Sequence, residues 1–470
     1  MKKIILLTCF IAMIVSCQKQ KSNAEADKKV SVVYVTQEIT PESLVKIYEA
    51  LGVKADGNVA VKISTGEGSN PNYLKPELIK DLVLGVNGTI VECNTAYGSG
   101  PGNEKDERNT SENHWKVIEQ HGFTKYFKVD IMDEEGEIKI PVQDESHIKY
   151  DLVGSHMEKY DFMIALNHFK GHPMGGYGGA LKNLSIGCAS KNGKAYIHSA
   201  GKMEELDMEK LWTPEYIGDQ DGFLESMAAA AQAVTDYFTK KKGIIYISVM
   251  NNMSIDCDCV DHPAPVKLED YGILASLDPV ALDQACVDII NSQQVTATND
   301  PTDLLNRIDK QHGVHTIEHA AKIGLGSREY ILQSIDGKDM LAKLNENGYS
   351  LVVRSHGKET TYTQKGVRDL LDLKSTTILH GAAVADKVIG TAAAFLMIEG
   401  GVRFVATNVI SKDALRLLTQ YEIVVEYDEV VDVIMDSKNH GECPLEKMLK
   451  GEDDVKQAVV SIERFLQEQK

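Results

Sequence analysis

The chain has 470 residues, of which 43% are apolar and 25% charged, and its formal charge is −19. That length exceeds one ordinary core and points to two or three domains, in a folded rather than a disordered protein. Acids outnumber bases 69 to 50, so the concentrated basic surface that nucleic acid requires is excluded as a general feature, although local basic sites are not.

In chain order, Met1-Lys2-Lys3 is a short basic start and Ile4 to Val15 an apolar stretch too short to span a bilayer, with Ser16-Cys17 directly behind it. This arrangement resembles a bacterial lipoprotein signal with Ile14-Val15-Ser16-Cys17 as its lipobox. The resemblance implies cleavage before Cys17, acylation of its thiol, and a body anchored by lipid in the cell envelope, facing the periplasm. Residues 18–29 are polar and read as a tether.

Alternation of elements then predicts an α/β protein with a mainly parallel sheet. Strands are expected at 30–35, 58–64, 89–93, 161–167 and 243–251. Helices are expected over Pro41 to Leu51 with Thr40 as cap, Lys75 to Leu84, Ser111 to His121 and Gly222 to Phe238, and after the cap Asp278 with Pro279 first. The charged stretch about Glu135-Gly136 suggests a hairpin. Near residue 336 the pattern restarts: a hairpin about Gly357, helices at 365–372 and 386–399, a strand at 402–407, a helix from Ser411, a strand at 422–427 and a helix near 429. The expected organisation is a signal peptide (1–17), the tether (18–29), an α/β domain (30–335), a smaller α/β domain (338–455) and a C-terminal helix (456–470).

The chemistry concentrates in Asn167 to Lys182, NHFKGHPMGGYGGALK, and continues to His198. Glycine is costly in helix or strand, so Gly171, Gly175, Gly176, Gly178 and Gly179 read as a loop whose amides can approach an anion; a tight structural turn is the alternative. Neutral imidazoles at His168, His172 and His198 can bind zinc or nickel, and a partly buried Lys182 would have a lowered pKa and serve as nucleophile or attachment point. In parallel sheets ligands sit beyond the carboxyl ends of strands, which brings Thr65, Glu67, Asn70 and Arg108 into consideration. By the same rule Asp256, Asp258, Asp261 and His262, around Cys257 and Cys259, can supply ligands, or can form a solvated acidic turn. Those two cysteines are too close in sequence for a usual disulfide. Cys443, before Pro444, opens a short helix where a thiolate would be favoured.

FKGHPMGGYGGALKNLSIGCAS, the Cys257-Asp258-Cys259 triplet and GILASLDPVALDQA resemble the family known as domain of unknown function 362, over about residues 30–335. Many of its members carry an iron–sulfur insert of repeated C-x-x-C, which this sequence lacks. The pattern His172, Gly176, Tyr177, Gly179, Lys182 and His198 is similar to the catalytic loop of the lactate racemase family. That resemblance implies acid/base work for His172, a nickel-pincer nucleotide on Lys182 and nickel ligation by His198, with Arg108 and His114 as nearest candidates for the remaining catalytic groups. HGAAVADKVIGTAAAFLMIEGG and HGECPLEKM resemble domain of unknown function 1893, implying a cytidine deaminase-like fold; the zinc-deaminase glutamate and second cysteine are missing, so zinc deamination is not expected.

The sequence thus predicts a lipid-anchored enzyme. His172, Lys182 and Arg108 are its catalytic candidates, Lys182, Gly176, Gly178 and Gly179 hold a nucleotide-like cofactor, and His198, His168, Cys257 and Cys259 hold a transition metal. Its ligand is a small anion. A non-catalytic anion binder and an iron–sulfur electron carrier are the alternatives.

Overall fold

The computed structural model describes residues 30–96, 108–436 and 441–468. The lipobox with Cys17, the tether and most of the loop from 94 to 109 lie outside the described residues. Among the described residues no helix is long and apolar enough to cross a membrane.

The first part of the chain folds on an eight-stranded sheet. Its strands are β1 (Ser31–Thr36), β2 (Val59–Lys62), β3 (Thr89–Glu92), β4 (Lys128–Ile131), β7 (Phe162–His168), β10 (Gly243–Met250), β11 (Gly272–Ser276) and β12 (Tyr330–Ser334). β5 (Glu137–Pro141) and β6 (Tyr150–Gly154) form a separate antiparallel pair, as do β8 (Lys170–His172) and β9 (Gly176–Gly178). The spatial order is β12-β1-β11-β10-β7-β2-β3-β4, and only β11 pairs antiparallel to its neighbours. Both faces are covered, and side chains alternate between them with the strand period of two. In β7, Phe162, Ile164 and Leu166 enter one core with Leu44, Ile79 and Ile118, while Met163 and Ala165 enter the other with Ala228, Ala231 and Leu282.

The helix Pro41–Ala50 begins where expected, Thr40 accepting from Ser43 N–H, and Asp278 likewise caps Pro279–Ser292 through the amides of Val280 and Ala281. The expected hairpin about Glu135-Gly136 does not form: β4 joins the main sheet beside β3, and β5 pairs with β6. Alternation reports burial of one face, and both arrangements bury Ile131 and Ile140.

The second part carries a five-stranded sheet, β13 (Leu351–Ser355), β14 (Lys358–Tyr362), β15 (Ala383–Ile389), β16 (Phe404–Ser411) and β17 (Val424–Val431), in the order β14-β13-β15-β16-β17. Here two expectations fail. Residues 383–389 are strand, and the helix starts only at Thr391, because β-branched Val384, Val388 and Ile389 run in register along β16 up to Gly390. No helix forms near 429, since Glu429, Val430 and Val431 continue β17 opposite Val409, Ile410 and Ser411. β12 and the helix Asp336–Asn347 were not expected at all. The latter ties the two sheets together: Asp336 accepts from Thr36 Oγ1 (2.7 Å), Gln37 N–H (2.9 Å) and Arg354 Nη1 (2.8 Å), all buried.

Candidate functional site

The carboxyl ends of β2, β3, β7 and β10 converge on the segment from Asn167 to His198. The glycine stretch is not an open loop. It forms the β8–β9 hairpin, with Gly171 opposite Tyr177 and His172 opposite Gly176, and runs straight into the helix Ala180–Cys188, which carries Lys182. The glycines permit close packing: a Cβ on Gly171 would lie 2.1 Å from Ile255 O, and one on Gly179 would lie 2.4 Å from Asp283 Oδ1. Gly176 has φ +79 and would bring a Cβ to 2.9 Å from Gly313 Cα, while Gly178 stacks on the stems of Lys170 and Lys182.

The expected anion cradle at this helix start is filled from within. The Asp283 carboxylate accepts from Ala180 N–H (2.7 Å), Leu181 N–H (3.0 Å) and Tyr177 Oη (3.1 Å). Burial outweighs these donors and raises Asp283 to about 6.

Beyond that cap the charges do not balance. Lys62 donates to Ile63 O (2.7 Å) and Asn183 Oδ1 (3.1 Å), and Lys194 to Ala189 O (2.5 Å), so neither has a carboxylate at its ammonium. Lys170 is paired with Asp258 (2.7 Å). Lys182 is half-buried and has no hydrogen-bond or ion-pair partner among the described residues. Desolvation, with Lys170, Lys62 and Lys194 adding against Asp258, lowers it to about 7.

His172 faces the same cations. Desolvation first, then Lys182, His198, Lys170 and Arg307, push its pKa well below the ordinary value, so the ring is neutral. Its Nδ1 accepts from Gly175 N–H (2.8 Å) and Met174 N–H (3.2 Å), which leaves the proton on Nε2. His198 is the opposite tautomer: Nδ1 donates to Lys194 O (2.7 Å), the ring stacks on Phe223, and burial lowers its pKa to about 3. A neutral imidazole oriented by a backbone carbonyl is the arrangement metal-ligating histidines adopt.

Other candidates are placed differently. His168 commits Nδ1 to Asp258 (2.8 Å) and Nε2 to Asn251 O (2.6 Å), so neither nitrogen is left for a metal. Against desolvation, His168 and Lys170 hold Asp258 well below the usual carboxylate range. Arg108, 2% exposed, binds Glu67 and Glu92 (both 2.7 Å), and His114 sits against Glu92, Asn94 and Thr65. Against desolvation, Arg108 and His114 hold Glu92 low. Asn70 binds Cys257 O and Val260 O.

Contrary to the expectation from their spacing, Cys257 and Cys259 are joined by a disulfide. Their Cα atoms are 5.3 Å apart, within the range a bridge needs, because the turn at Asp258 brings them round. The two sulfurs and a ring nitrogen of His172 lie within 4.8 Å of one another. The usual iron–sulfur cluster is held by four thiolates; among the described residues the site offers this joined pair, while Cys93, Cys188 and Cys286 are buried and Cys443 lies in the second part. The donor set does not fit such a cluster.

In the second part Cys443 caps the five-residue helix Pro444–Met448 with no side-chain hydrogen bond, and Glu446, one turn on, is buried. Sequence reasoning passed over Lys62, Lys194 and Asp283. The first lies in an apolar strand run and the second beside a glycine, and only the lysine in a buried-strand pattern was a legible signal.

Residues 59–288 match the family described as domain of unknown function 362, and residues 339–466 match domain of unknown function 1893. These are the two families that the sequence motifs suggested. No curated protein matches. Among solved structures, a DUF1893 family protein from Thermotoga maritima aligns with TM-score 0.26 and 26% identity over 27% of this chain and 87% of that one. The lactate racemase apoprotein from Thermoanaerobacterium thermosaccharolyticum aligns with TM-score 0.33 and 11% identity, over 55% of this chain and 56% of that one. A further Thermotoga maritima protein aligns with TM-score 0.30 and 12% identity, over 61% and 59% respectively. The chain thus spans little more than half the length of the last two, and no residue role is taken from them.

Proposed function

We propose that this chain, a 362-family domain followed by an 1893-family domain, is an enzyme that binds a small carboxylate or phosphate anion at Lys182 and works on it by acid/base chemistry. The observation that carries the reading is Lys182, without a hydrogen-bond or ion-pair partner among the described residues and titrating near neutrality among Lys62, Lys170 and Lys194. Buried positive charge without a counter-ion is unfavourable unless a ligand supplies one. Near pH 7 Lys182 passes between ammonium and amine, so it can pair with the anion or take a proton from it. His172, neutral with hydrogen on Nε2, donates to an oxygen on which charge develops and does not compete for the proton.

A metal such as nickel or zinc, or a nucleotide-like cofactor, would be held by His198 and Lys182, and a bound metal would supply Lewis-acid polarisation. His198 suits that part by tautomer and Lys182 by its lowered pKa. The protein is retained at the envelope membrane by lipid on Cys17, and Cys17→Ser should release it to the soluble fraction.

Elemental analysis and intact mass of the purified full chain, with calorimetry against inorganic phosphate and acetate, test the reading. Anion binding that Lys182→Ala abolishes supports it. A folded protein that binds neither anion and carries neither metal nor adduct contradicts it. Binding with no turnover of any carboxylate or phosphate compound would favour a binding protein using the same residues.

A further inference from the structure

We infer that the Cys257–Cys259 disulfide is a redox-active couple, reduced by a dithiol that enters at Cys259. It stands on observations separate from the anion site's charge.

A disulfide that closes a loop of three residues removes little entropy from the unfolded chain, so stabilisation of the fold does not explain it. The two residues are unequal in exposure: Cys257 is 2% exposed, whereas Cys259 is only partly covered. Exchange requires a sulfur that a thiolate can reach, and Cys259 is the more exposed of the two. The turn between them is clamped from outside. Asp258 O accepts from Glu67 N–H (2.8 Å), Cys257 O accepts from Asn70 Nδ2 (3.3 Å), and Ser69 N–H donates to Asp261 Oδ1 (2.9 Å). Opening the bridge therefore leaves the two sulfurs near each other, ready to close again.

The exchange balances as follows. A thiolate of the dithiol attacks Cys259 Sγ, forming a mixed disulfide, and the electron pair of the broken bond leaves on Cys257 Sγ. The second thiol of the donor attacks the mixed disulfide and expels Cys259 Sγ. The donor departs as a cyclic disulfide, and its two electrons and two protons remain on Cys257 and Cys259, the protons passing through solvent. Because Asp258 holds His168 and Lys170, the redox state reaches the residues flanking Lys182.

The test uses the folded full chain in mixtures of reduced and oxidised dithiothreitol, with native alkylation and peptide mass spectrometry. Cys257 and Cys259 should gain label together at one midpoint and lose it when oxidised dithiothreitol is restored, while Cys93, Cys188 and Cys286 stay unlabelled. Single variants read the direction of attack: in Cys257→Ser, Cys259 should react with an aromatic disulfide reagent at least about tenfold faster than Cys257 does in Cys259→Ser. A bridge that stays oxidised in reduced dithiothreitol, or a Cys257 that reacts as fast as Cys259, would overturn the inference. Because this labelling is read without any anion, failure here leaves the Lys182 reading standing, and failure of that reading leaves this one.

Discussion

Two helix starts in this molecule look alike and behave differently. The helix Ala180–Cys188 is capped by Asp283 from a neighbouring helix, and the helix Thr391–Gly400 is capped by Glu446, which accepts from Thr391 N–H (2.6 Å) and Thr391 Oγ1 (3.0 Å). Each therefore carries its own carboxylate where a bound anion would sit. Glu446 also accepts from the hydroxyl of Ser411, so these three donors are all neutral. Beyond Asp283, by contrast, stand Lys182, Lys62 and Lys194, with no carboxylate at their ammonium groups among the described residues. A helix N-terminus is thus a poor guide to a ligand, and an uncompensated buried cation is a better one.

The largest expected effect separates the two regions directly. Lys182→Ala should weaken anion binding by about 30-fold to several thousand-fold, the cost of deleting one partner of an enclosed charge pair, read by calorimetry. Glu446→Ala should leave that affinity unchanged and lower unfolding stability by about 2–3 kcal/mol in denaturant titrations, since it strands the Thr391 amide at a helix start. Loss of anion binding in Glu446→Ala with an intact fold would break the comparison.

Acidity sharpens it further. Lys182 has a folded pKa of about 7 against an ordinary 10.5, so it is charged below about pH 7 and neutral above. If the anion binds the charged form, affinity should fall roughly 30-fold between pH 6 and pH 8.5. The same shift works against the empty fold. The buried charge costs stability in full below about pH 7, and that cost fades as pH rises from 7 toward 10.5. Lys182→Met should therefore raise the stability of ligand-free protein at pH 6 by about 1–2 kcal/mol, a smaller gain than the whole shift because the side chain is partly exposed to water. At pH 10.5 thermal melts of the two proteins should nearly coincide.

Much of this was legible in the sequence, unevenly. Caps and alternation placed β1, β2, β3, β7 and β10 of the first sheet and the helices from Thr40 and Asp278, because those signals are local. The three residues His172, Lys182 and His198 were legible as a set, and the fold does gather them, as their mutual influence on charge shows. What could not be read depends on partners distant in sequence. Asp283 lies about a hundred residues from the amides it caps, and Asp258 occupies His168 from ninety residues away. Glycine content suggested a loop, whereas the glycines serve contacts with Ile255, Asp283 and Gly313 that only the folded chain supplies. In the second part an alanine-rich run hid a strand, because the β-branched Val384, Val388 and Ile389 of β15 take effect only through pairing with β13 and β16.

The central claim is that Lys182 is the ammonium awaiting an anion. Calorimetry of phosphate or acetate binding at pH 8.5, repeated in buffers of different ionisation enthalpy, measures protons taken up on binding. The account predicts uptake of about one proton per anion in the native chain and none in Lys182→Met. Binding of equal strength in both proteins, with no proton uptake, would contradict it.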